Sequence, residues 1–188
     1  MATLIKNKHI ATDSWQLLDP AAEGGSVALS GDWVVPLAVW SAQRESLMQR
    51  AANDRRNGVV LDNTDDPQAL VADFDRLALI AVRFPKFTDG RGYSIARTLR
   101  RLGWKGELRA VGDVLRDQLF YMTRCGFDAF ALRDDQQPQT ALTAFNDFSA
   151  PYQPAMDHGA RFGVGGVSNV GNVSSTRTKP TAAAPSPW

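Results

Sequence analysis

The sequence predicts a single α/β domain on an open, mostly parallel sheet of about five strands, with an N-terminal β-ribbon. Three observations carry this. From Leu77 to Phe130 an apolar run, a polar turn and an amphipathic run follow one another twice and end on a third apolar run. That order reads β-α-β-α-β, and connections of that length make the strands parallel. The 188 residues are 44% hydrophobic, enough for one ordinary core. The βα units number about five, whereas a complete eight-fold barrel takes roughly 200 residues or more. An open sheet with helices on both faces is therefore expected. A partial (βα) barrel, which dimerisation could complete, is the alternative.

The elements follow in order. Residues 3–18 alternate loosely around Leu4, Ile10, Trp15, Leu17 and Leu18, as a β-ribbon turning at Asn7-Lys8 or Thr12-Asp13 would. Residues 19–32 carry the Pro, Gly and Ser of a loop. Trp33 to Trp40 is continuously apolar, the mark of a buried strand. Pro36 inside it cannot donate to a ladder, so this is an edge strand or one that starts after Pro36. Ser41 can cap a helix to about Arg56, and Asn57-Gly58 stops it. After a short strand from Gly58 to Leu61, Asp66-Pro67 starts a helix whose buried face is Leu70, Val71 and Phe74.

Leu77 to Phe84 is the longest apolar strand, ended by Pro85. Gly90 and Gly92 free the loop that follows. Ile95, Leu99 and Leu102 then make one helical stripe up to Gly103. Glu107 to Val111 is the next strand. Asp113 is placed to cap a helix from Val114, with Leu115, Leu119 and Met122 inward and Gly126 as its stop. Phe127 to Leu132 is the last strand, and Thr140 to Phe148 a last helix. Residues 1–157 form the domain. Residues 158–188 are rich in Gly, Ser, Pro and Ala without a period, and read as a disordered tail.

The net charge of +1 gives no overall reason to expect nucleic acid or an acidic surface as partner. One cysteine, Cys125, leaves no internal disulfide and no cysteine metal cage, and suits a reducing compartment. The opening MATLIKNKHIATD has no signal-peptide core, and nothing approaches the ~18 uninterrupted apolar residues of a membrane span. A cytoplasmic protein is expected.

Ligands of open parallel sheets sit beyond the carboxyl ends of the strands. Four such ends should converge: Asp62-Asn63-Thr64, Arg83 to Tyr93, Gly112 to Asp117, and Arg133-Asp134-Asp135. From Arg83 to Asp117 there are nine Lys/Arg against four Asp/Glu, locally +5. The Asp-Gly-Arg-Gly turn beside a helix N-terminus is a seat for a small anionic ligand, an oxyanion or phosphate. Lys86, Thr88, Gly90, Arg91, Gly92 and Arg116 are its ligand-binding candidates, and Asp89, Tyr93, Asp113 and Asp117 the catalytic ones. The competing reading is that the arginines pair with Asp89, Asp113 and Asp117 and only fix loops. Gly90-Arg91-Gly92-Tyr93-Ser94-Ile95 fails the dinucleotide fingerprint at its third glycine, so NAD is not expected. No iron–sulfur spacing and no zinc motif is visible. A flavin at the strand ends stays open.

The segment FPKFTDGRGYSIARTLRRLGWKGELRAVGDVLRDQLFYMTRCGFDAFALRDD, residues 84–135, closely resembles a bacterial family of unknown function, DUF934. The motifs FTDGRGYS and GELRAVGDVLRDQ carry the likeness, which extends over about residues 30–152. Members are labelled oxidoreductases of sulfite reduction, because their genes lie beside the assimilatory sulfite reductase haemoprotein. The resemblance thus implies a pathway, assimilatory sulfur metabolism in a bacterial cytoplasm, and the haemoprotein, or an electron donor to it, is the partner to expect there. It implies no catalytic residues. Three functions follow as expectations: an accessory or electron-transfer partner of sulfite reductase, an enzyme acting on a phosphate or sulfur oxyanion at the strand ends, or a flavin-dependent electron carrier.

Overall fold

The computed structural model describes residues 3–18, 31–51 and 56–146. The expected tail, most of the expected 19–32 loop and the end of the last helix at Phe148 lie outside the described residues.

Strands β1 (Thr3–Lys6) and β2 (His9–Thr12) form the ribbon. Its turn is Asn7-Lys8, with φ of 50° and 64°, the two left-handed residues that a tight type I′ hairpin requires. Residues beyond the ribbon leave it: β3 (Gln16–Leu17) pairs in parallel with β4 (Trp33–Pro36). Then come β5 (Asn57–Leu61), β6 (Leu79–Phe84), β7 (Glu107–Gly112) and β8 (Ala129–Ala131). The eight-stranded sheet has the order β2-β1-β8-β7-β6-β5-β4-β3. From β3 to β8 every pairing is parallel and joins consecutive strands, while β1 runs antiparallel to β8.

This order never reverses. Successive right-handed crossovers then put the helical connections on one side of the sheet. The main core shows the result. It joins Trp40, Leu47, Leu70, Ile95, Leu99, Met122 and Phe145 from the connections to Val35, Val59, Ile80, Val82, Leu108 and Phe130 from the strands. The intervening positions, Val34, Val60, Leu79, Ala81 and Val111, form a separate small cluster with Trp15 and Ala131. Alternate residues of a strand face opposite ways, so the helices cover one face only. The expectation of helices on both faces is corrected, and the sheet is an open, curled half-barrel.

Chain length explains the curl. Laid flat, eight strands would put β2 and β3 about 34 Å apart at ~4.8 Å per strand. Yet only residues 13–15 separate Thr12 from Gln16, and four extended Cα steps reach at most about 14 Å. The sheet must bring its edges towards each other.

Several elements differ from expectation for local reasons. Pro36 ends β4 instead of interrupting it, and β4 is an interior strand between β3 and β5. A helix follows at once, so α1 (Leu37–Ala42) and α2 (Arg44–Ala51) replace one helix from Ser41. Residues Pro67–Arg76 are 3₁₀, started as expected by Asp66 accepting from the Gln68 N–H at 2.9 Å. Three residues per turn put Asp73 under Leu70. Both are buried, while Val71 is exposed. Asp73 accepts from Trp40 Nε1 at 2.9 Å and from Arg44. Helix α3 spans Arg91–Arg101. Beyond β7, Asp113 does not cap a helix. Val114 is buried, a 3₁₀ turn Arg116–Gln118 intervenes, and α4 is Leu119–Arg124. The last element is α5 (Pro138–Ala141) with a 3₁₀ extension Leu142–Asn146. No helix among the described residues is long and apolar enough to cross a membrane.

Candidate functional site: the strand-end rim and the inner cavity

All four strand ends meet. Asp113 accepts from the Phe87 N–H at 2.9 Å and from Arg133 at 2.9 Å. Gln118 Nε2 donates to the Phe87 carbonyl at 2.6 Å. Asn63 Nδ2 donates to Asp89, and Arg83 lies 3.4 Å from Asp62. Gly112 makes the β7 end possible. Its φ is +96°, and a Cβ there would stand 2.5 Å from the Phe84 carbonyl oxygen.

Within the rim the candidate residues go separate ways. Asp89 accepts from the Arg91 backbone N–H at 3.1 Å and from its guanidinium at 3.0 and 2.6 Å. The chain's own carboxylate thus sits at the α3 N-terminus, where an outside oxyanion was expected. The hydrogen bonds from Arg91 hold the Asp89 carboxyl well below the usual carboxylate range and push the Arg91 guanidinium up. Gly90 has an ordinary right-handed conformation with open space around it. Gly92 serves packing, since a Cβ there would come within 2.6 Å of the Phe84 ring. Arg116 reaches Thr140 O at 3.3 Å and Thr143 Oγ1 at 2.9 Å, so the Arg91 and Arg116 side chains do not converge. Lys86 and Thr88 are exposed. Tyr93 stacks edge-on with Phe84 and Tyr121 at 5.3 and 5.1 Å. Burial raises its phenol first, helped by Cys125 and Asp117.

The local excess of positive charge disperses. Arg109 faces the sheet interior, 4% exposed. Arg100 caps carbonyls of Trp104, Gly106 and Gly126 at the other end of the strands. At the rim proper, Arg83, Lys86, Arg91, Arg116 and Arg133 face Asp62, Asp89, Asp113, Asp117, Asp134 and Asp135: five cations against six carboxylates.

Inside the curl lies a cavity of about 430 Å³ that rises to the ends of β7 and β8. Trp15, Leu17, Val34, Ala81, Val111 and Ala131 give it apolar walls, and Asp13, Arg109, Arg133 and Asp134 its polar groups. Trp15 enters because β5 has Gly58 opposite, where a Cβ would lie 3.2 Å from the indole. Its ring also carries Arg56 at 5.1 Å. Arg109 is held by Asp13 at 2.8 Å and by Glu107 at 2.7 Å, and Lys6 closes on Glu107 at 2.6 Å. Arg133 is likewise held by Asp113 at 2.9 Å and Asp135 at 2.6 Å. Those bonds, from Asp135 first, raise the guanidinium further and hold the Asp135 carboxyl down at about 2.

Sequence reasoning missed Asp13, Trp15 and Arg109. A signal existed: in Glu-Leu-Arg-Ala-Val the charges recur at every second residue, which puts both on one face of β7.

The family described as "Bacterial protein of unknown function (DUF934)" matches residues 58–162, more than half of the chain, and the chain belongs to it. No curated protein matches the chain.

Proposed function

We propose that this DUF934 protein serves assimilatory sulfite reduction in the bacterial cytoplasm as a binding accessory of the sulfite reductase haemoprotein. The observation that carries the reading is the exposed aromatic surface at the strand ends. Phe87 is 48% and Tyr121 49% exposed, and the Gln118–Phe87 bond draws their segments together. Aromatic side chains left in water beside charges already paired are the ordinary make-up of a protein contact. A binding role also accords with the rim's titratable groups. Asp89 and Asp113 are engaged by Arg91, Arg133 and backbone N–H groups, which suits holding loops better than moving protons.

The test is capture with the tagged full-length chain from bacteria growing on sulfate as sole sulfur source. The haemoprotein should be recovered, and the double variant Phe87→Asp, Tyr121→Asp should recover at most about a tenth as much, as expected of contact anchors. Repeated failure of the unmodified chain to recover it would overturn the reading.

A further inference from the structure

We infer that the half-barrel interior is a binding site for a small organic cation, an amine on an apolar body. The cavity is large enough: a dry cavity of about 150 Å³ admits benzene, and this one is about 430 Å³. Its position is the usual one, inside a curled parallel sheet and open at the strands' carboxyl ends. Its middle is aliphatic and indole surface, from Trp15, Val34, Ala81, Val111 and Ala131, which selects an apolar body.

The charge follows from how the two cavity arginines are bound. Each is held between two carboxylates: Arg109 by Asp13 and Glu107, Arg133 by Asp113 and Asp135. Lys6 offsets Glu107 alone. Asp134 adds a further carboxylate on the lip, and it has no ion pair or hydrogen bond with any described residue. An anion entering here would meet Arg109 already neutralised, since Arg109 and Lys6 balance Asp13 and Glu107, and Arg133 overcompensated by Asp113 and Asp135. A cation would find Asp134 free to receive it, in a cleft whose low-dielectric walls strengthen the attraction. The site is therefore of the wrong sign for sulfite, sulfate or phosphate, and its lip borders the Phe87 segment only through Asp113, which the Phe87 N–H and Arg133 share.

Three probes of one shape decide the matter on the full-length chain by calorimetry and protein NMR: 2-phenylethylamine, 2-phenylethanol and 3-phenylpropionate. The amine should bind best, at least about tenfold tighter than the carboxylate, a difference of about 1.4 kcal/mol. Ala131→Leu, which takes up part of the cavity wall space, should weaken its binding. Asp134→Asn, on the exposed lip and without effect on folding, should reduce the preference for amine over alcohol to about twofold or less. Binding of the carboxylate as tightly as the amine overturns the inference. So does absence of binding by all three, or an Asp134→Asn protein that keeps the full preference. None of these results touches recovery of the haemoprotein, so either reading can fail alone.

Discussion

The two faces of the parallel sheet are made from the same strands yet have opposite characters. On β6 the outward residues are Ile80, Val82 and Phe84, and the inward ones Leu79, Ala81 and Arg83. On β7, Leu108 and Ala110 point outward, whereas Glu107, Arg109 and Val111 point inward. Outward positions meet helices and join them in the main core. Inward positions meet one another across the curl, and small or charged residues there leave a void. The difference separates the tasks: the outer face supplies most of the buried apolar area, and the inner face supplies room and polarity for a ligand.

The largest effects should come from breaking each face at its most committed residue. Phe84 is 1% exposed and touches the rings of Tyr93 and Phe127. Phe84→Ala should lower unfolding free energy by about 3–5 kcal/mol. On the inner face Arg109→Met removes a cation from between Asp13 and Glu107. Lys6 still faces Glu107, but Asp13 is left without a cation, which should cost about 3–5 kcal/mol. Urea unfolding of both variants checks the pair. A cost below about 1 kcal/mol for Arg109→Met would mean that the inner charges are solvated and the interior is wet.

A finer comparison uses two alanines on adjacent strands. Ala110 is fully buried against the helices, and Ala81 lies on the cavity wall at 1% exposure. Ala110→Leu must overpack a filled layer and should cost about 1–3 kcal/mol. Ala81→Leu extends into the void and should change stability by less than about 1 kcal/mol. Equal costs, read from thermal unfolding of the two variants, would abolish the distinction between the faces.

Why the outer face was legible and the inner one less so follows from these residues. Ile95, Leu99 and Leu102 recur at helical spacing, and Leu77 to Val82 is apolar throughout, so the βα order could be read locally. Strand order could not. Whether the sheet reverses depends on which edge each new strand joins, and no short motif encodes that. Residues 13–15 held the clue, since so short a link between opposite edges demands a curl, but it is readable only once β3 is known to leave the ribbon. The rim's convergence was legible from strand ends. The partners of its side chains were not: Arg91 turning back to Asp89, and Arg116 reaching Thr143, are choices made in three dimensions.

The smallest effect concerns the lip where the two faces meet. Asp135 is exposed yet paired with Arg133, which holds its carboxyl at about 2 against an ordinary 3.8. A carboxyl depressed in the fold favours folding wherever it is ionised. Its contribution is whole above about pH 4 and fades as pH falls towards 2. Because solvent screens the pair, the unfolding midpoint should drift only slightly over that window. The site itself reports more sharply. By carboxyl NMR titration, Arg133→Gln should return Asp135 towards 3.8. That change also releases Asp113 at the cavity edge, so it should tighten amine binding while loosening the lip. An Asp135 midpoint unmoved by Arg133→Gln would show that the arginine is not clamped there. The negative sign assigned to the cavity would then lose one of its two supports.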